Sequence, residues 1–255
     1  MSENKRNLHR WEELFPQELV EIMKETPVVY FPFGCVEEHG THLALATDYT
    51  PVHAISLAVA ERAGGIVYPV LPAAPCYFPP LSRHEMRYSG KPLYPPSLFL
   101  SRECCRLIYE ETLENMAHVG FKYCFAIGGH FPAIKMMDGL ATEMGGKIGE
   151  MQFVSIDWAT MISKSSRFKQ YRFAHGGSIE TSLVMYCNKN YCDLSKIQDV
   201  HQSNFESQLN IHNQEELAKF AKEATWELGR DVFNFVVDSI VKRVEKRLRK
   251  KLHVF

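Results

Sequence analysis

A three-layer α/β/α sandwich around a mainly parallel sheet is the fold class this sequence predicts, on three observations. Short apolar segments rich in β-branched and aromatic residues recur along the chain, each bounded by Gly or Pro. Longer segments with apolar residues at helical spacing separate them. Alternation of the two builds βαβ units, whose parallel strands are covered by helices on both faces.

The expected strands are residues 27–34 (PVVYFPFG), 65–71 (GIVYPVL), 121–127 (FKYCFAI) and 152–157 (QFVSID). Each is too short for a stable helix, and the first closes on a glycine turn. A helix is expected over 51–62, with Thr50 as N-cap and Pro51 at the first helical position. A second spans 98–118 and stops before Gly120; a third spans 133–144 and stops at Gly145 and Gly146. A shorter one covers 179–186, after a Gly-Gly pair and with Ser178 as its cap. The last runs from about 214 toward 250, along an apolar stripe that includes Leu217, Phe220, Ala224, Leu228, Val232, Phe235 and Ile240. Repeats, low-complexity stretches and linker-like segments are absent from the sequence, so residues 1–255 read as a single domain.

Composition narrows the classes of function. Hydrophobic residues make up 45% and charged residues 23%, which supports a sizeable core. A formal net charge of −1 gives no general attraction for nucleic acid or an anionic membrane. Residues 242–251 are basic, and a solvated helix end accounts for them, since cations suit a helix C-terminus. No apolar run reaches the roughly 18–20 residues of a membrane span. The first residues, MSENKRNLHRWEELFP, lack the apolar stretch of a secretory signal, so a cytoplasmic location is expected. Seven cysteines without a CxxC pair argue against a disulfide framework and against a thiolate zinc site.

Chemistry is expected just beyond the carboxyl ends of the strands, where ligands sit in open α/β folds. Directly after the first strand come Glu37 and His39, two apart and therefore able to face one point, with Asp48 nine residues beyond His39. The third strand leads into Gly128-Gly129-His130, which puts an exposed histidine at the same edge. Further on stand His175, before a glycine turn, and Glu180, in the first turn of a helix. Imidazole with carboxylate is a ligand set for zinc or manganese, with iron a further candidate. One carboxylate can bridge two ions about 3.5–4 Å apart, and Asp48 is the expected bridge. Glu180 has a second explanation, favourable interaction with the helix dipole. His42 is read either as a partner orienting a ligand or as a buried, hydrogen-bonded histidine. His84 lies in the Pro-rich stretch 72–96, which is expected to line a pocket or an intersubunit contact.

Three stretches together carry a family resemblance. Gly34-Cys35-Val36-Glu37-Glu38-His39-Gly40-Thr41-His42-Leu43 through Thr47-Asp48 resembles the signature of the creatininase (creatinine amidohydrolase) family. Gly129-His130 resembles its second motif, and His175-Gly176-Gly177-Ser178-Ile179-Glu180-Thr181-Ser182 its third. The resemblance implies a three-layer α/β/α fold, a small-molecule substrate, two divalent ions (Zn or Mn) and a homo-oligomer, a hexamer built from dimers. It implies that Glu37 and His130 hold one ion, that His39 holds the other, that Asp48 bridges them, and that His175 is catalytic. The reaction it implies is hydrolysis of a non-peptide C–N bond (amide, cyclic amide or amidine, or formamide) by a metal-bridging hydroxide. His175 or Glu180 would carry a proton to the leaving nitrogen.

The departures fall mostly on the substrate side. Gly128 stands where the family's second motif begins with Asn, and Glu38 replaces a Gln. Pro132 stands where creatininases carry the remaining glutamate ligand of the second ion, so Glu180 is the expected substitute. Ala174 replaces an acid, and Tyr171-Arg172 stand where a Trp-Asp pair is usual. These changes count against creatinine itself as substrate. Tyr171, Arg172 and Phe131 are the expected substrate contacts, with Arg172 suited to an anionic group. The competing readings are a formamide hydrolase, a peptide-clipping relative, and a metal-stabilised binding module without catalysis.

Overall fold

In the computed structural model, residues 6–75, 97–171, 174–197 and 221–249 are described. Five strands form the sheet: β1 Val28–Phe33, β2 Ile66–Val67, β3 Tyr123–Gly128, β4 Lys147–Ile148 and β5 Met151–Ile156. Their order is β2-β1-β3-β5-β4. The pairs β1/β2, β1/β3 and β3/β5 are parallel; β4 pairs antiparallel with β5 at the edge. The described helices of six residues or more are α1 Pro16–Glu25, α2 Tyr49–Ala63, α3 Arg102–Val119, α4 Phe131–Glu143, α5 Trp158–Ser163, α6 Ser178–Cys187 and α7 Trp226–Arg249.

Alternation along the strands builds two cores. Val28 and Tyr30 of β1, with Tyr123, Phe125 and Ile127 of β3, face α2, α5, α6 and α7. Val29, Phe31 and Phe33, with Cys124 and Ala126, face α3 and α4, and α1 packs at the margin of this second core through Leu19, Ile22 and Met23. All six residues of β1 and all six of β3 are buried, as parallel strands covered on both faces require. This is the predicted three-layer sandwich.

Several boundaries differ from those expected. The strand at 65–71 shrinks to Ile66–Val67, because the chain leaves the sheet at Tyr68 and returns only for an isolated bridge between Leu71 and Phe33. Helix α2 begins at Tyr49, so Asp48 and not Thr50 occupies the N-cap position. Helix α6 begins at Ser178 with Gly177 as N-cap; the Ser178 hydroxyl is therefore inside the helix, fully buried and without a hydrogen-bond partner. The final helix starts only at Trp226. Residues 222–225 interrupt it, and the Thr225 hydroxyl accepts from the backbone N–H of Leu228 (3.1 Å), the pattern of a helix start. Leu217 and Phe220 of the expected stripe lie outside the described residues.

Cys104 and Cys105 lie in α3, Cys105 buried and Cys104 partly exposed. No helix among the described residues is long and apolar enough to cross a membrane. The basic run 242–249 ends α7, and Arg247 reaches back to Gln152 (2.9 Å); residues 250 and 251 of that run lie outside the described residues.

Candidate metal centre

The adjacent strands β1 and β3 end side by side, pairing Phe33 with Gly128, and the segments after them carry the site. Gly129 donates its N–H to the Phe33 carbonyl (2.8 Å), fixing His130 beside the loop that follows β1. The approach is close enough to demand glycine. A Cβ at Gly129 would lie 1.8 Å from the Asp48 carbonyl oxygen, and one at Gly128 would lie 2.4 Å from the Ile134 side chain and 2.8 Å from the Phe33 ring. The Gly pair therefore serves contact with the Asp48 backbone and the core more than a turn. It also explains why Gly128 does not carry a larger side chain.

Five side chains converge here. His130 Nδ1 lies 3.0 Å from Glu37 Oε2 and 3.1 Å from Asp48 Oδ2. His39 Nε2 lies 3.0 Å from Asp48 Oδ1, 3.8 Å from Glu180 Oε2 and 3.9 Å from Glu37 Oε2. The two oxygens of Asp48 thus face two different histidines. His39 is 2%, Asp48 5% and His130 5% exposed, so His130 is not the exposed histidine that its glycine-flanked position predicts.

Backbone carbonyls fix both imidazole tautomers. His130 Nε2 is 3.0 Å from the Pro75 carbonyl and His39 Nδ1 is 3.1 Å from the Glu37 carbonyl. A carbonyl only accepts, so those nitrogens carry the protons and the opposite nitrogens aim lone pairs at carboxylate oxygens. Glu37 Oε2 and Asp48 Oδ2 are buried and lack hydrogen-bond partners despite their closeness to His130. Lone pairs crowded at about 3 Å in a buried place require a positive charge among them. A divalent cation supplies one and suits this N/O donor set. Glu37, Asp48 and His130 form one three-residue group able to hold an ion; Glu37, His39 and His175 form another.

Without an ion, protons take that role. Burial pulls the His39 and His130 pKa values down, but Asp48 and Glu37 outweigh it: His39 is raised well above its ordinary value and His130 is pushed up to about 10. Burial also opposes the charge on Glu37 and Asp48, yet the neighbouring histidines hold both below the usual carboxylate range. Glu180 moves the other way, pushed up to about 7 by burial.

The third motif closes the site. His175 stacks on His39 with ring centroids 3.9 Å apart and 24° between planes, and its Nε2 donates to the Glu38 carbonyl (2.6 Å). Glu180 Oε2 accepts from the Gly176 N–H (2.7 Å), so it faces both its own helix start and His39. Thr47, Asp48, Pro51, Gly129, Trp158, Glu180 and Leu183 line a small cavity behind these groups.

Of the expected substrate contacts, Phe131 follows His130 directly, is 46% exposed, and has the Lys135 ammonium 5.0 Å from its ring centroid. Tyr171 packs against the core on the α2 side, and its N–H donates to Phe168. Arg172 and His84 lie outside the described residues. Pro132 is buried in the first turn of α4 and offers no ligand atom. Three contributions escaped sequence reading: the Pro75 carbonyl on His130, Phe99 beside the His130 ring (6.0 Å), and the Trp158 indole N–H on the Gly128 carbonyl (2.8 Å). A carbonyl has no residue signature, and no spacing connects Phe99 or Trp158 to residues 128–130.

Paired imidazoles and carboxylates at the carboxyl edge of a parallel sheet form a site able to hold divalent ions, in an α/β/α fold shared with creatininases. The chain belongs to the creatininase family, whose model, described as creatinine amidohydrolase, matches residues 12–244. Creatinine amidohydrolase of Pseudomonas putida is 20% identical over 185 residues, 68% of each chain. A crystal structure of creatinine amidohydrolase (creatininase) superposes with a TM-score of 0.72 at 20% identity, covering 94% of this chain and 97% of that one. A Zn–Zn form of a creatininase variant (TM-score 0.70, covering 95% and 99%) and a Mn form of creatininase (0.68, covering 94% and 98%) share the fold at 19% identity.

Proposed function

We propose that this protein hydrolyses a non-peptide C–N bond of a small molecule, an amide, cyclic amidine or formamide, with two divalent ions, Zn or Mn. The observation that carries the reading is Asp48, whose two oxygens face two histidines with fixed tautomers. In this proposal Glu37, Asp48 and His130 hold one ion. His39 and Asp48 hold the other, completed by Glu180 in place of the ligand lost at Pro132. Bound ions would supply Lewis acidity and water activation.

The chain's own residues supply the rest. The Pro75 and Glu37 carbonyls keep a lone pair of each imidazole pointed inward. Burial of His39, Asp48 and His130 excludes bulk water and strengthens every charge interaction in the site. His175, stacked on His39 and anchored on Glu38, carries a proton to the leaving nitrogen. Glu180, with its pKa near 7, matches the same task wherever it is not a ligand. Phe131, Tyr171 and Arg172 contact the substrate in this reading.

The test is a screen of amides, cyclic amidines and formamides on metal-loaded protein, repeated with His175→Ala. Turnover by the native chain, with a loss of about 100-fold or more in the variant at unchanged metal content, supports the assignment. Metal lost along with activity makes His175 a ligand. Metal bound without turnover of any compound favours a binding module, the reading that Pro132 keeps in play. A homo-oligomer and a cytoplasmic location are part of the proposal, and size-exclusion chromatography with light scattering tests the former.

A further inference from the structure

Beyond the stacking of His175 on His39, hydrogen bonds tie the loop carrying His39 to the turn carrying His175 and Glu180 in two places. One is the bond from His175 Nε2 to the Glu38 carbonyl (2.6 Å). The other is a chain of buried polar groups that the proposed chemistry does not use. His42 Nε2 lies 2.9 Å from the Thr181 hydroxyl, and that hydroxyl donates to the Gly176 carbonyl (2.9 Å). Thr181 has one proton to give and gives it to Gly176, so His42 Nε2 is the donor to Thr181. The far side of Gly176 is tied too, its N–H donating to Glu180 Oε2 (2.7 Å).

The geometry leaves no slack. Gly176 has φ +62°, and a Cβ there would lie 2.7 Å from the His39 carbonyl. His42 is itself pinned from behind, because its carbonyl accepts from the Asp193 N–H (2.9 Å), while Ala44 donates to the Tyr191 carbonyl (2.9 Å). Thr181 is fully buried and His42 is 7% exposed.

We propose that His42 and Thr181 are a positioning pair, a polar clip that sets the distance of Glu180 and His175 from His39 and so tunes the affinity of the ion that His39 holds. Neither residue belongs to the two groups able to hold an ion. Each acts through Gly176, and the inference rests on the metal-centre reading above.

The test is Zn(II) titration of the full chain against a competing chelator, with the metal-free melting temperature measured in parallel. Thr181→Val removes the hydroxyl at nearly constant shape, His42→Phe removes the donor, and Thr181→Ser keeps the hydroxyl. Each of the first two should weaken one Zn(II) about 10- to 100-fold, the scale seen for partners behind metal ligands. Their double variant should lose no more than either alone, and Thr181→Ser should retain native affinity. A lowered melting temperature with unchanged affinity in both single variants would make the pair structural and overturn the proposal, as would independent, multiplying losses in the double variant. Failure of the native chain to bind Zn(II) would instead strike the metal-centre reading itself, so the two failures are distinguishable.

Discussion

Loading the centre with Zn(II) should expel protons, and the structure sets how strongly. Metal ligation needs the lone pairs of His39 Nε2 and His130 Nδ1, which in the metal-free chain hold protons between carboxylates. With a metal-free pKa of about 10, His130 is protonated almost completely at pH 7. Displacing that proton there costs about 4 kcal/mol, a roughly thousandfold weakening of apparent affinity. His39, raised well above its ordinary value, adds a second proton with the same sign. Apparent affinity for the pair of ions should therefore rise about 100-fold per pH unit near neutrality, tenfold for each proton displaced. Calorimetry in buffers of differing ionisation heat should count about two protons released, with a further fraction from Glu180, whose pKa is about 7. Proton release near zero, with affinity flat between pH 6.5 and 8, would refute the argument that ions replace protons at these nitrogens.

Further outcomes follow from single features. Gly129→Ala puts a Cβ 1.8 Å from the Asp48 carbonyl oxygen, a backbone atom that cannot swing aside; urea unfolding should show a loss of about 3 kcal/mol or more, with weakened Zn(II) binding. Gly139→Ala in α4 meets nothing within 4 Å and should leave the protein as stable or up to about 1 kcal/mol more stable. Burial lowers the His42 pKa to about 4, so the unfolded chain takes the proton first as pH falls. Native stability is unaffected above the ordinary value of 6.5 and drops by about 3 kcal/mol as pH falls through that value toward 4, a slope that His42→Gln should remove in urea titrations. Ser178→Ala deletes a buried hydroxyl with no partner and should hold or raise the melting temperature; a loss above about 1 kcal/mol would show that the hydroxyl is satisfied in solution.

The sequence made the sheet legible where strands are central. Residues 28–33 and 123–128 are apolar throughout because both faces are covered, and no helix-period pattern competes there. Edges were not legible. The two-residue strand Lys147–Ile148 carries no pattern of its own and exists because it pairs with Met151 and Gln152 across a tight turn. Helix α1 was not among the expected helices, although Pro16 and Glu18 mark its start and Leu19, Ile22 and Met23 lie at helical spacing along its core face. The break at 222–225 was missed because Ala224 continues the apolar stripe while the Thr225 cap ends it.

In the site, Glu37, His39, Asp48, His130, His175 and Glu180 are all drawn together, since each stands at a strand end or helix start that faces the same edge. The burial of His130 and the alignment of both imidazoles were not legible, because they depend on the Pro75 and Glu37 carbonyls and on Asp48 backbone packed against Gly129.

Elemental analysis of protein purified without added metal, run beside Asp48→Asn, tests the central claim most directly. About two divalent ions per native chain are expected, and loss of both from the variant, because one carboxylate faces both histidines. A native chain with no bound metal and no thermal stabilisation by Zn(II) or Mn(II), or a variant that keeps both ions, would contradict it.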